Sequence, residues 1–129
     1  MDVRSTSFPR NDPKGRAFWL FMARVGNLPS GVLVYAEDTS HYKSQVQTGL
    51  DYLVKIKRQW PQRRYYNVQM VVPYPDLTLY RMDYLDSATE YNSAVVGVLQ
   101  GYAIVFKFNA DSQEHLDTLV ESIKSIRHG

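Results

Sequence analysis

Apolar side chains recur at helical spacing in only two stretches of this chain, and every other apolar cluster is a short run bounded by Gly, Pro, Asn or Asp. The order of these runs constrains the fold most. RAFWLFMARV from Arg16 and GVLVYA at 31–36 are strand-like and separated by the turn residues Gly26 to Gly31. A helical stripe follows, with Tyr42, Val46, Leu50, Leu53 and Val54. Four further strand-like runs come next: YYNVQMVV, LTLYRMDYL, SAVVGVLQ and GYAIVFKF. The last stripe carries Leu116, Leu119, Val120, Ile123 and Ile126. Strands that succeed one another without a crossover helix return antiparallel. The expected class is therefore α+β, an antiparallel sheet of about six strands flanked by two main helices.

Local signals support these boundaries. Asp38, Thr39 or Ser40 is expected to cap the first helix, and Pro61 stops it. Asp111 and Glu114 stand three apart, as at a capped N-terminus of the second. Gln100-Gly101 marks a tight connection or a bulge. Residues 1–15, with Pro9, Pro13 and Gly15, read as an irregular N-terminal arm, which leaves 16–129 as one domain. A chain of 129 residues is long enough to bury a core without disulfides or a structural metal. The start, MDVRSTSFPRNDP, lacks the apolar centre of a signal peptide, and no run approaches the ~18 apolar residues of a membrane span. The chain is thus expected to be soluble, cytoplasmic by default, and exported if a leader has been removed.

Few chemistries fit. With no cysteine there is no thiolate ligand or Cys nucleophile, and His41, His115 and His128 are scattered without ligand spacing, so no metal and no cofactor are expected. No nucleophile elbow, phosphate-cradling loop or dinucleotide fingerprint occurs. Asp83 and Asp86 fall on opposite faces of one strand, which does not suit a pair acting on one substrate.

What remains is KIKRQWPQRRYY at 55–66. Lys55, Lys57, Arg58, Arg63 and Arg64 surround Trp60 with no acidic residue among them. Cations beside aromatics are the means of gripping phosphates and stacking bases. The same cations complement the carbonyl end of a helix. The net charge is only +2: residues 1–67 hold 11 basic and 5 acidic side chains, and residues 68–129 hold 4 and 8. That balance disfavours nucleic acid and favours another protein with an acidic face. A small-ligand pocket or enzyme site lined by Trp19, Tyr80, Tyr84 and Tyr102 is the alternative, against the ordinary use of strand aromatics as core. Nucleic-acid binding through 55–66 is the second alternative.

The run Leu79-Tyr80-Arg81-Met82-Asp83-Tyr84, the strand Gln100-Gly101-Tyr102-Ala103-Ile104-Val105-Phe106, and the helix from Ala110-Asp111-Ser112 to Ser122-Ile123-Lys124-Ser125-Ile126 resemble the PsbP-like superfamily. That superfamily takes in DcrB-like proteins and a Ran-binding import factor. The likeness extends over about residues 16–127. It implies a PsbP-like α/β/α sandwich and a non-enzymatic role in binding, assisting or chaperoning other proteins. It brings no catalytic residue.

Overall fold

The computed structural model describes residues 2–4, 17–24, 31–40, 46–73, 77–87 and 90–125, with side chains described for 31–40, 46–70, 77–86 and 90–123. In chain order the elements are β1 (Asp2–Arg4), β2 (Ala17–Arg24), β3 (Gly31–Asp38), α1 (Gly49–Gln59), β4 (Arg64–Pro73), β5 (Thr78–Ser87), β6 (Glu90–Leu99), β7 (Tyr102–Ala110) and α2 (Gln113–Glu121). The fold is α+β, with every strand pair antiparallel and the sheet order β1-β2-β3-β7-β6-β5-β4. Five strands, β3 to β7, carry the described core, and β2 and β1 extend the sheet through backbone pairing. The strand β1 corrects the reading of 1–15 as wholly irregular: Asp2 to Arg4 pair with Arg24 to Met22. Residues 1, 5–16, 25–30, 41–45, 74–76, 88–89 and 126–129, among them His41, Tyr42, Ile126 and His128, lie outside the described residues.

Strand alternation divides the core in two. Val34, Leu79, Val95 and Phe108 point to one face, where Leu116, Leu119, Val120 and Ile123 close over them from α2 and the turn after it. Tyr35, Met82, Val96 and Val105 point to the other, where Tyr52, Leu53 and Ile56 of α1 cover them. Each face thus has one helix. The β6–β7 hairpin is a two-residue turn in which Gln100 and Gly101 take φ of 52° and 82°, the left-handed pair that matches the twist of the flanking strands.

Both helix starts differ from expectation. β3 runs through Asp38, whose carboxylate accepts from the Ser40 N–H at 2.9 Å as Thr39 and Ser40 begin a 3-10 turn, and none of the three caps α1; Thr39 bonds Gly101 O through both its backbone N–H and its hydroxyl, at 2.9 and 2.8 Å. The cap of α1 is Thr48, whose hydroxyl accepts from the Asp51 N–H while the Asp51 carboxylate accepts from the Thr48 N–H. At α2 the cap is Ser112, accepting from the His115 N–H.

Gly49 sets how α1 is seated. A Cβ there would lie 1.9 Å from the Val96 carbonyl oxygen and 3.2 Å from Tyr80 Cδ2, so only glycine lets the first turn rest on β6. With Gly49, Tyr52, Leu53 and Ile56 facing the sheet, Leu50 and Val54 rotate onto a flank, where they are 39% and 42% exposed. The sequence stripe had placed both in the core.

Candidate functional site

The basic stretch does not form one surface. Lys55 and Lys57 are separated by roughly 200° around α1, given about 3.6 residues per turn, and so occupy opposite flanks. Lys57 Nζ lies 5.7 Å from the centroid of the Tyr65 ring, which fixes its flank as the one toward β4. Arg58 is exposed on the outside of the helix. Arg63 turns inward: its guanidinium sits over the rings of Trp60 and Tyr84, at 4.7 and 4.5 Å, and its Nε donates to Asp86 Oδ1 at 2.8 Å. Arg64 pairs in register with Leu85 and is exposed on the α2 face. Trp60 does not close the helix onto the sheet. It is 54% exposed, and the closing contact is the Tyr65 hydroxyl donating to Trp60 O at 2.6 Å.

The four aromatics proposed as a pocket are not brought together. Tyr80 and Tyr84 lie on the α1 face, Tyr80 half-buried against the core and Tyr84 within it. Tyr102 belongs to the other face by alternation with Ala103 and Val105, and is exposed at the hairpin end. The sheet separates it from the other two. Trp19 is placed opposite Tyr35 by register, and its side chain is outside the described set. Asp83 and Asp86 are likewise divided, Asp83 buried beneath α2 and Asp86 beside Arg63 on the α1 face.

Two polar groupings were not singled out in the sequence. On the α2 face Arg81 donates to both oxygens of Asp83, Nε to Oδ1 at 2.8 Å and Nη2 to Oδ2 at 2.9 Å, and Nη2 also reaches Asp117 Oδ1 at 2.5 Å. Gln113 and Asn67 donate to Asp83, and Tyr66 donates to Gln113. Arg81 and Asp83 are buried. Burial pushes the Asp117 carboxyl up, but the hydrogen bonds from Arg81 and Gln113 and the Arg81 charge outweigh it and hold that group below its ordinary value. Beside Asp83 the buried Ser93 hydroxyl makes no hydrogen bond to the described residues.

On the α1 face the Tyr35 and Tyr52 hydroxyls are 3.3 Å apart and Tyr52 donates to Glu37 at 2.8 Å. Burial pushes Tyr35 up to about 12 and Tyr52 higher still, so both phenols stay protonated. Lys107, 5.6 Å above the Tyr35 ring, has its amine lowered by burial and then by the nearby Arg63 charge. These groups tie α1 and β7 to β3. Among the described residues no cluster of three or more His, Cys, Asp or Glu side chains is arranged to hold a metal.

The remaining feature is apolar. Gly49 rests on the Val96–Tyr80 row, and Met70 is the next residue outward in that row. Leu50 and Val54 lie on the flank of α1 marked by Lys57, which faces β4: Leu50 and Lys57 are two turns apart and Val54 follows Leu50 by one. Val68, two residues before Met70, shares its face and is 48% exposed, against 55% for Met70. Four exposed apolar side chains thus lie on the flank of α1 that faces β4 and on the α1 face of β4 itself. From Lys55 to Pro75 the chain has no acidic residue, so the charges borne by this corner's own segment are cations. No signal in the sequence marked Val68 or Met70, because strand alternation there predicts a half-buried strand and not an edge.

Compared with known proteins, the sequence matches no family model and no curated protein. No described helix is long and apolar enough to cross a membrane.

Proposed function

We propose that the chain is a non-enzymatic protein-binding domain with an accessory or chaperone-like role, which meets a partner of acidic character at the corner between α1 and β4. One helix on each face of an antiparallel sheet fits the PsbP-like α/β/α sandwich that the sequence resembles, and that is the fold family we assign to it. The observation that carries the functional reading is the exposure of Leu50, Val54, Val68 and Met70, each more than a third exposed, with the cation Lys57 on the same flank of α1 as Leu50 and Val54. Contiguous exposed apolar side chains with a polar rim are the pattern of a recognition surface. Cations at the rim speed encounter with an acidic partner more than they tighten the complex.

A photo-crosslinking amino acid placed at Met70, and in a separate variant at the exposed Thr118 of α2, tests this in cells. Defined protein adducts are expected from position 70 and not from 118. Equal labelling from both, or none from 70, contradicts the proposal.

A further inference from the structure

Lys107 projects from the central strand β7 on the α1 face, in the row Met82–Ala94–Lys107 whose other two members are fully buried. A lysine so placed is almost always paired with an acid. Lys107 is half-buried, yet among the described residues its amine makes no ion pair, and it lies 5.6 Å from the centroid of the Tyr35 ring. Burial lowers the amine, and of the charges acting on it Arg63 acts most strongly, ahead of Glu37 and Asp86.

Arg63 belongs to the neighbouring row of the same face. Its guanidinium lies 4.5 Å from the ring of Tyr84, which follows Met82 on the α1 face of β5. Only β6 separates β5 from β7, so the two strands are about 9–10 Å apart at ordinary strand spacing. The side chains that β6 sets between them, Asn92 and Ala94, are short and buried, and neither screens one cation from the other. Arg63 also keeps donors in hand. Asp86 takes its Nε–H, the Tyr65 hydroxyl lies close enough to feel its charge, and no carboxylate among the described residues takes an Nη group. Its side chain is 19% exposed and Lys107 is half-buried, so a solute can reach both heads.

We propose that Arg63 and Lys107 together hold a small organic monocarboxylate on the α1 face. This goes beyond the protein-binding reading and does not depend on it. The Nη edge of Arg63 offers planar donors to the carboxylate oxygens, and the Lys107 amine supplies the second charge. A monoanion fits better than a phosphate dianion: Asp86 and Glu37 already act on the pair, so one added negative charge gives Lys107 the partner it lacks, while two would crowd the acids. The exposed indole of Trp60, 4.7 Å from the same guanidinium, offers the rest of the ligand a flat apolar surface.

The test titrates the full isotope-labelled chain with benzoate, with benzamide as its uncharged counterpart, and with phenyl phosphate as a dianion. Benzoate is expected to bind saturably, at least about tenfold more tightly than either of the others. In the parent chain its largest chemical-shift changes are expected at the Arg63 Nε–H, the Trp60 indole and the Lys107 Nζ, a map that holds whether or not any variant folds. Lys107→Met and Arg63→Gln are each expected to lose at least about tenfold in affinity. Arg58→Gln, which removes an exposed cation from the outer side of α1, is expected to lose none. Absence of saturable binding, equal binding of benzamide, tighter binding of phenyl phosphate, or shifts centred away from Arg63 and Lys107 overturns the proposal. An equal loss in Arg58→Gln does so too, since it would show attraction to net charge and not a site.

Discussion

Arg81 and Asp83 are charged residues on a sheet face that α2 covers, and each is satisfied by the other, by Gln113, by Asn67 or by Asp117. A buried pair of this kind adds little over well-packed apolar residues, but removing one partner strands the other charge out of water. Asp83→Ala is therefore expected to cost about 3–5 kcal/mol in chemical denaturation, and the double variant Arg81→Met, Asp83→Leu clearly less than that. Asp117 adds a pH dependence. Its folded-state pKa lies below the ordinary value, so its contribution is complete above roughly pH 4 and is lost as the pH falls through the folded value. Unfolding midpoints measured from pH 5 downward should fall less steeply in Asp117→Asn than in the parent chain. Lys107 gives the same sign in the alkaline range from a different cause: an amine lowered by burial is strained when charged, so stability rises as the pH climbs from its folded value toward the ordinary one. In Lys107→Met that alkaline rise should vanish.

The helices show what was legible in the sequence and what was not. The α2 stripe reads directly, because Leu116, Leu119, Val120 and Ile123 all face the core. Leu119→Ala should cost about 2–5 kcal/mol, seen as a lowered melting temperature, as core truncations do. The α1 stripe reads only in part. Cap-forming residues at 38–40 pointed to an early start, whereas strand pairing with β7 carries β3 through Asp38 and leaves the cap to Thr48 and Asp51. Leu50 and Val54 were placed in the core because periodicity does not record the close approach at Gly49 that rotates them out. Gly49→Ala tests that account. Alanine gains about 1 kcal/mol of helix propensity over glycine. The added Cβ, however, meets a backbone oxygen, and overpacking costs about 1–3 kcal/mol. Net destabilisation is expected, and a stabilised variant would show that α1 is not seated on Val96. The charges beneath α2 were legible as a face but not as a network, since Arg81 and Asp117 are 36 residues apart and nothing local joins them.

At the scale of the whole molecule, folding disperses what the sequence had concentrated. The cations of 55–66 end on two flanks of α1, on its outer side, against Trp60 and Tyr84, and on the α2 face of the sheet. A phosphate backbone would meet few of them at once. Binding to single- or double-stranded nucleic acid, followed by fluorescence anisotropy, is accordingly expected to be weak and to disappear by about 0.15 M salt, with a shallow dependence of log affinity on log salt. Micromolar binding that survives that salt and is lost in Arg63→Ala, Arg64→Ala would contradict this arrangement. Apolar exposure, by contrast, is brought to one side by folding, since the seating of α1 on β6 turns Leu50 and Val54 toward the side on which β4 bears Val68 and Met70. The most direct test is chemical-shift mapping of the isotope-labelled chain titrated with the protein captured at position 70. The account predicts perturbations centred on Leu50, Val54, the Trp60 indole and Arg64 to Met70. Perturbations centred on α2, or around Tyr102 and Lys107, would contradict it.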